Sequence, residues 1–358
     1  TRVFPNVRDV VSEDEAENIN GSILIDSVSA SGCKVLSVSK TFNDTPNGSL
    51  GLFVPALPVK RNNVEFLDLT GLIQNSDFRS NLRLVNYGDT DQLVTLSLFA
   101  RNGYAAGSVR STMVRGHSNR QVNEVAQWLG VEEDIAPFSV RVDVTDIDVQ
   151  AFGTVVDNAT GDSVLFLSSF TQENKIWVVG VASLSGVNES QWRTDMWLYN
   201  PTEDWLGGEI EFVVGDDPTE VYGFEWPLLG EQRVKQYLDI VGDEIGLEET
   251  RGYIVLTGSE NGPAPQVAAR TYNLDLGGGT FGLNLRAFGE EDLLYPGDVG
   301  YIAGVSNSED KNVGFRTNLG LLNTHDQLWT GVKLTLFDIS GAQVGDPVEF
   351  FIKPGVLQ

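Results

Sequence analysis

The sequence is poor in the residues that most enzymes and metalloproteins use for chemistry. Its 358 residues include one cysteine and two histidines. The single Cys33 excludes an internal disulfide framework and a thiolate metal cluster, and we interpret it as a small apolar strand residue. His117 and His325 lie in no metal-ligand spacing and beside no nucleophile motif. We therefore predict no catalytic residue, no cofactor and no metal site.

Positive charge and long apolar runs are also scarce. The chain has 24 basic and 50 acidic residues, a formal net charge of −26. Contacts to phosphate need clusters of lysine and arginine, so this balance argues against nucleic acid and anionic lipid as partners. No stretch reaches the roughly 18 apolar residues of a membrane span, and no signal peptide is visible. A chain that starts at Thr1 rather than Met is expected to be processed or excised.

Glycine is abundant, with 38 residues, and short apolar runs alternate with turn residues. This composition is typical of all-β structure. A length of 358 residues suits two or three domains, each large enough to bury its own core.

One strand pattern occurs three times, at residues 78–86, 192–200 and 315–323. In each copy, aromatic, hydroxyl, aliphatic and asparagine side chains alternate with arginine and other polar residues, as expected for a β-strand with one buried face. The closing asparagine opens a turn. The arginines of the three copies, Arg79, Arg193 and Arg316, are 114 and 123 residues apart, about the length of one β-sandwich domain.

Other elements recur at the same spacing. A short amphipathic helix is predicted at 7–11, 122–129 and 237–241. A first hairpin is predicted at 21–25 with 34–38, 138–142 with 149–152, and 252–256 with 266–269. A second hairpin is predicted at 41–43 with 50–53, 155–158 with 164–166, and 271–273 with 280–283. A further half-buried strand is predicted at 94–99, 210–214 and 332–337.

The order of these elements predicts immunoglobulin-like β-sandwich modules in tandem, three repeat lengths in permuted order. Residues 1–70 form the back half of a repeat, 71–172 and 173–290 are complete repeats, and 291–358 form a front half. A half sandwich exposes an apolar face and open edges. Three interpretations stay open: a segment of a longer array, ends completed by neighbouring molecules in a head-to-tail fibre, or ends that meet within one molecule.

Three motifs carry a resemblance to a family: residues 315–323, residues 270–273 with 279–282, and residues 155–162. They resemble tandem β-sandwich repeat modules of secreted bacterial multidomain proteins, in which the Arg-Thr-Tyr-Asn type alternates with the Val-Val-Asp-Asn-x-Thr-Gly-Asp type. The same alternation occurs here at 41–43, 155–162 and 271–273. Lys40 stands where Arg270 does, and Asp195 where Asn318 does. The resemblance implies export, an extracellular or cell-surface location and a non-catalytic accessory role.

Several polar groups have both a ligand-binding and a structural interpretation. Asp143, Asp146 and Asp148 could bind Ca²⁺, but the spacing of a calcium loop is absent and a hairpin turn explains them. Asp216 with Asp217, and Asp243 with Glu244, are weaker candidates. Residues 277–279 lack the context of a phosphate loop and are interpreted as a hairpin turn. Asn-x-Ser/Thr triplets begin at Asn20, Asn43, Asn47, Asn158 and Asn188, and matter only where a glycosylation system exists.

Tryptophans could form a platform for a sugar if several faced solvent together. The candidates are Trp177, Trp192, Trp197, Trp205, Trp226 and Trp329. Trp192 replaces Phe78 and Phe315 and is therefore expected in the core. Trp197 lies on the opposite strand face, so we predict that it is the better exposed candidate.

The sequence thus predicts a non-catalytic extracellular structural protein, a scaffold or a subunit of a surface filament. Its expected partners are copies of itself or neighbouring repeats of a longer chain. The alternative is an adhesion module that binds carbohydrate, such as surface polysaccharide, or protein through Trp197 and the turns after Asn86, Asn200 and Asn323. An enzyme is the third class, and no pair of carboxylates stands out by position.

Overall fold

The computed structural model is all-β, and every strand pair among its described residues is antiparallel. It describes residues 23, 37–45, 48–55, 66–144, 148–168, 173–186, 190–259, 262–275, 277–302, 305–307, 317–338 and 340–358. No helix within these ranges is long and apolar enough to cross a membrane.

The N-terminal part contributes one hairpin, β1 (Val38–Thr45) with β2 (Gly48–Pro55). The predicted second hairpin of the first copy is thus confirmed. The predicted helix at 7–11, most of the hairpin at 21–25 with 34–38, and Cys33 lie outside the described residues.

Residues 66–168, which we call the first segment, form two four-stranded sheets. One has the order β3-β8-β5-β6 and the other β10-β9-β4-β7. The strands are β3 (Phe66–Gln74), β4 (Phe78–Asn86), β5 (Gln92–Ala100), β6 (Ala105–Val114), β7 (Ser118–Val122), β8 (Ile135–Val144), β9 (Val149–Asp157) and β10 (Ser163–Leu167). Side chains from both sheets, among them Leu72, Leu82 and Leu96, pack into one hydrophobic core. The boundary expected at 70/71 falls inside β3.

Strand β4 follows its sequence pattern closely. It spans Phe78–Asn86, the nine residues of the predicted strand. Ser80, Leu82, Leu84 and Asn86 are buried, and the residues between them are only half-buried. The alternation of side chain types therefore predicted both the strand and its inner face correctly.

Residues 173–288, the second segment, form one nine-stranded sheet ordered β14-β13-β16-β11-β12-β17-β18, with β15 beside β12 and β19 beside β11. The strands are β11 (Lys175–Ser185), β12 (Gln191–Tyr199), β13 (Leu206–Val214), β14 (Val221–Leu229), β15 (Val234–Tyr237), β16 (Thr250–Gly258), β17 (Gln266–Leu274), β18 (Thr280–Leu285) and β19 (Ala287–Phe288). β11 and β12 pair through two residues of each strand only. The two halves of the sheet share one core that includes Val178, Met196 and Ile254.

Strand neighbours follow the same plan in both segments. β4 lies between β7 and β9, and β12 lies between β15 and β17. β5 lies between β6 and β8, and β13 lies between β14 and β16.

The predicted first hairpins of these segments are wrong in their pairing. The strands exist, but β8 pairs with β3 and β5, whereas β9 pairs with β4 and β10. Likewise, β16 pairs with β11 and β13, and β17 with β12 and β18. Alternation of apolar residues identifies the buried face of a strand, but it does not identify the neighbouring strand. The predicted second hairpins, β9 with β10 and β17 with β18, are confirmed.

The two predicted helices in these segments are present as single turns. α1 spans Val125–Trp128, and a π-helical turn spans Ile240–Glu244. The residues that precede these turns, Glu124 and Asp239, have left-handed backbone conformations, with φ of 46° and 38°. The backbone N–H of each donates to a side-chain oxygen of the neighbouring strand, from Glu124 to Asn81 and from Asp239 to Asp195. A connecting 3-10 turn spans Glu290–Asp292.

The C-terminal segment, residues 317–358, contains the hairpin β20 (Thr330–Phe337) with β21 (Gln343–Ile352). The predicted strand at 315–323 is wrong over 317–321, which form no regular strand, while Leu322 makes a single bridge to Leu357. Phe315 and Arg316 lie outside the described residues. The tail contacts the second segment, because Leu357 N donates to Gly215 O (2.8 Å) and Tyr253 Oη donates to Gly355 O (2.9 Å).

Candidate functional site

A buried asparagine makes the same contacts at three places. In Asn86, Asn200 and Asn323, the side-chain Nδ2 donates to two backbone carbonyls and Oδ1 accepts one backbone N–H. For Asn86 the carbonyls are those of Thr90 and Val114 and the N–H is that of Gly88. For Asn200 they are Asp204 and Leu229 with Thr202, and for Asn323 they are Leu328 and Ile352 with His325. Each asparagine therefore joins a turn to the end of the hairpin that follows it. We call these three residues the asparagine anchors.

A hydroxyl six residues before each anchor also repeats its contacts. Ser80 Oγ accepts from Ile73 N (2.9 Å) and donates to Ile73 O (2.7 Å). Thr194 makes the same pair of bonds to Ala182, and Thr317 makes it to Ser306. One hydroxyl thus satisfies both backbone groups of a residue in the preceding part of the chain.

The two segments meet through an apolar contact around Trp197, which is 1% exposed. Its ring meets Phe166 edge to face, with centroids 6.1 Å apart. A Cβ on Gly71 would lie 2.9 Å from Ala268 Cβ and 3.3 Å from the Trp197 ring, so the close approach requires glycine. Our prediction that Trp197 is exposed is wrong, because the first segment covers the outer face of β12.

A buried ion pair lies at the same junction. Arg141 holds Asp68 with two hydrogen bonds of 3.0 and 2.9 Å. The same guanidinium donates to Pro201 O (3.0 Å), and Gln266 Nε2 donates to Asp68 O (3.0 Å). Burial raises the pKa of Asp68, while the ion pair with Arg141 opposes that shift. Pro201 and Gln266 belong to the second segment, so this pair joins the two segments as well as the strands β3 and β8.

A second polar contact joins the two motif types that the sequence distinguishes. Asp157 Oδ1 accepts from the N–H groups of Ala159 and Thr160, both at 2.9 Å. Its Oδ2 accepts from Thr280 N and Thr280 Oγ1, both at 2.8 Å. Burial raises the pKa of Asp157, but the hydrogen bonds from Thr160, Thr280 and Ala159 outweigh it, and the net pKa lies below its ordinary value.

Further contacts between the two motifs lie along the edges of β10 and β18. Gly282 N donates to Asp162 Oδ2 (2.8 Å), and Asn284 Nδ2 donates to Leu165 O (2.6 Å). A Cβ on Gly279 would lie 2.8 to 2.9 Å from Thr160, Ala159 and Asp157. We call the contacts of Asp157 and Asp162 with residues 279–282 the motif lock.

Arg270 lies beside the motif lock and is 5% exposed. Its guanidinium is 5.0 Å from the ring centroid of Phe78 in the first segment and 4.3 Å from that of Tyr272. Burial lowers the pKa of Arg270, and the carboxylates of Asp195 and Asp157 oppose the shift. The arginine of one motif therefore meets the aromatic residue that opens the repeated strand of the other segment.

Two of the tryptophans named as platform candidates are exposed, although neither was preferred over Trp197. Trp205 is 62% and Trp329 is 57% exposed. Each has a cation over its ring, Arg233 at 5.6 Å and Lys353 at 5.8 Å. Both follow an asparagine anchor closely in the sequence, and this position was the available signal.

Most of the remaining candidates that the structure describes are turn residues. His117 Nε2 lies 2.7 Å from Asp89, and His325 Nδ1 accepts two backbone N–H groups of its own turn. Asp217 Oδ1 accepts from the backbone and hydroxyl of Thr219, and these bonds lower the pKa of Asp217. The turn interpretation is wrong for Asp143, which lies within β8 and pairs with Phe66 and Thr95. Asp146 lies outside the described residues, and residues 277–279 form the turn between β17 and β18. The described residues include no group of three or more His, Cys, Asp or Glu side chains placed to hold a metal.

Comparisons with known proteins add little. No family model matches the chain, and no curated protein matches it. One solved structure that matches is the crystal structure of the YadV chaperone, with 14% sequence identity over 62% of this chain and 98% of that chain. The TM-score is 0.15, so this similarity supports no conclusion about fold or function.

Proposed function

We propose that the chain is a non-catalytic structural protein of the extracellular space or cell surface. It consists of tandem immunoglobulin-like β-sandwich modules and acts as a scaffold or as a subunit of a surface filament. The observation that carries this proposal is the junction, where Trp197 and the motif lock hold two segments of the chain against each other.

The repeated plan of the segments supports the modular part of the proposal. Both have the same strand neighbours around β4 and β12. The asparagine anchors and the paired hydroxyl bonds recur in both and in the C-terminal segment. Contacts that recur at about one-domain spacing are expected when one module is written several times along a chain.

The chemistry of the junction supports the scaffold role. Modules joined by flexible linkers move independently, whereas a buried aromatic residue and a buried, hydrogen-bonded carboxylate hold one orientation. Here Trp197 is packed by the first segment, and Asp157 receives four hydrogen bonds, two of them from Thr280. A scaffold needs this property, because it transmits position along its length.

Distances between spin labels on the two segments test the scaffold role. Labels are placed at exposed positions by Arg115→Cys and Val221→Cys in a Cys33→Ser background, and we expect one narrow distance distribution. Gly279→Ala should broaden it, because the new Cβ meets the first segment. Gly278→Ala is the matched control: Gly278 also has a positive φ, of 89° against 97°, but a Cβ there meets nothing within 4 Å. A broad distribution in the parent chain would contradict the proposal.

The C-terminal hairpin supports the filament version. Leu334 and Leu336 in β20 are 36% and 52% exposed, whereas Leu96 and Leu98 at the same places in β5 are 0% and 1% exposed. Among the described residues, β20 pairs with β21 alone, while β5 has strands on both sides. We propose that a neighbouring repeat, from another copy or from a longer chain, covers this face.

Light scattering across a concentration series tests the filament version. We expect the mass to rise with concentration, and Leu336→Asp to reduce the rise because it places charge on the open face. Leu93→Asp is the control, since Leu93 is 47% exposed on β5 of the first segment. A monomer at every concentration would reject the filament and leave the scaffold role standing.

A further inference from the structure

An open groove of 540 Å³ lies where the first and second segments meet. It is lined by the end of β5 with the turn after it, by the start of β8, and by the end of β14 with the start of β15. Its volume is within the roughly 300–1,000 Å³ typical of small-molecule pockets. The groove is separate from the motif lock, since none of its lining residues belongs to that contact, and one backbone hydrogen bond between the segments, from Val234 N to Arg101 O (3.0 Å), lies in its lining.

The charge of the groove is opposite to that of the protein. Arg101, Arg233 and Lys235 line it, with Asp134 as the single carboxylate among the described lining residues, in a chain of net charge −26. None of these three cations forms a salt bridge with a described residue. They can therefore accept an external anion, and a guanidinium suits a carboxylate because it donates two parallel hydrogen bonds.

The groove also carries apolar surface. Leu228 in its lining is 63% exposed, and the indole of Trp205, which is not part of the lining, lies next to the groove beside Arg233. A Cβ on Gly230 would lie 3.3 Å from the Trp205 ring, so the ring rests on the backbone that leads into the groove. An exposed indole offers a broad flat face for the C–H groups of a sugar ring, and its N–H can still reach a polar partner.

The combination of indole and cation recurs in the C-terminal segment. Trp205 follows Asn200 by five residues, and Trp329 follows Asn323 by six. Lys353 lies over the Trp329 ring. In the first segment the fifth residue after Asn86 is Asp91, and no tryptophan is present in that turn. The turn after Asn86 is therefore an internal comparison, because it follows an asparagine anchor but has no tryptophan.

We propose that the groove binds an acidic saccharide, an oligosaccharide that contains uronic acid. Its carboxylates bind Arg233 and Arg101, and a sugar ring stacks on Trp205. A neutral glycan would leave the three cations of the groove without an anion, and an acidic peptide would leave the indole face unused. The proposal does not depend on the scaffold function, since the groove is present whichever larger assembly the chain enters.

Calorimetric titration of the full chain tests this site with three probes: a tetramer of galacturonate, a neutral galactose tetramer and a tetraglutamate peptide. We expect the galacturonate to bind, and to bind at least tenfold more tightly than either other probe. Raising the salt from 50 to 500 mM should weaken binding, because the contacts are ionic. Absence of galacturonate binding, or equal binding of the neutral sugar or of the peptide, would overturn the proposal.

Substitutions then locate the site. Arg233→Ala should weaken galacturonate binding at least tenfold, and Trp205→Ala at least fivefold. Arg233→Lys should retain part of the affinity, because it keeps the charge and loses the paired geometry. Arg115→Ala is the control, an exposed arginine at the opposite end of β6, and should change nothing. Circular dichroism verifies that each variant is folded, and binding that is insensitive to Arg233→Ala and Trp205→Ala would refute the assignment.

Discussion

The asparagine anchor at Asn200 provides the sharpest test of the fold. Asn200 is 0% exposed, and its amide donates to the carbonyls of Asp204 and Leu229 at 2.7 and 2.8 Å. Its Oδ1 accepts from the N–H and the hydroxyl of Thr202. Asn200→Ala removes all four bonds and leaves backbone groups buried without partners.

The stability cost of Asn200→Ala follows from these contacts. Each lost hydrogen bond costs about 1 kcal/mol net, and Thr202 can recover part of its loss through solvent and through Asp204 O. We expect Asn200→Ala to lower the free energy of opening of β13 and β14 by about 2–4 kcal/mol. Asn86→Ala should act in the same direction on β5 and β6 but cost somewhat less, because Asn86 makes the same three backbone contacts and lacks the fourth bond, from a hydroxyl.

Hydrogen exchange measured by mass spectrometry on the full chain is the suitable assay. It reports each region separately, which matters because a chain with several cores does not unfold in one step. Asn102→Ala is the control: Asn102 is exposed, accepts one bond from Tyr104 N, and should cost less than about 0.5 kcal/mol. An equally small effect of Asn200→Ala would show that the anchors do not stabilise the fold, and the argument from their recurrence would fail.

Three further changes test the junction and its charges. Trp197→Ala should lower the free energy of opening of the strands on both sides of the junction by about 3–5 kcal/mol, as measured by hydrogen exchange, and should broaden the spin-label distances; a loss below about 1 kcal/mol would contradict its burial. Asp157→Asn should cost about 2–3 kcal/mol at pH 7, and this cost should disappear only as the pH falls through the folded pKa of Asp157: that pKa is lowered, so the carboxylate still stabilises the folded state near its unfolded pKa of about 3.9 and loses the effect below it. Asp195 is the opposite case, because burial raises its pKa although Asp239 N–H and Arg270 oppose the shift. The parent chain should therefore lose stability relative to Asp195→Asn as the pH rises above about 4. If the urea midpoints of the two proteins changed equally between pH 4 and 7, this prediction would be refuted.

The sequence predicted best those features that depend on one strand alone. Strand β4 has the predicted bounds and the predicted inner face, because alternation of side chains records burial directly. The positions of the turns were also predictable, since asparagine and glycine have local conformational reasons to be there. Strand partners were not: the turn after β8 leads into a different sheet, and nothing in the alternation of β8 or β9 indicates this.

The prediction for Trp197 was wrong for a related reason. Its place on the outer face of β12 was inferred correctly from the period of two, but that face is covered by Phe166 and by the backbone at Gly71. A strand pattern cannot distinguish a face that meets water from a face that meets another segment, because both lie away from the strand's own core. Trp205 was among the tryptophan candidates but was not ranked above Trp197, because it lies outside a strand, where no periodicity applies.

The motif lock gives a physical reason for the alternation of two motif types in the sequence. Asp157 and Asp162 supply carboxylates, and residues 279–282 supply two N–H groups and a hydroxyl to them. Two acidic turns facing each other would place carboxylates together without donors, and two glycine-rich turns would leave their N–H groups without acceptors. If the segments are repeats of one module, as we propose, then the contact can form only between unlike neighbours. An alternating order along the chain is therefore what this junction requires.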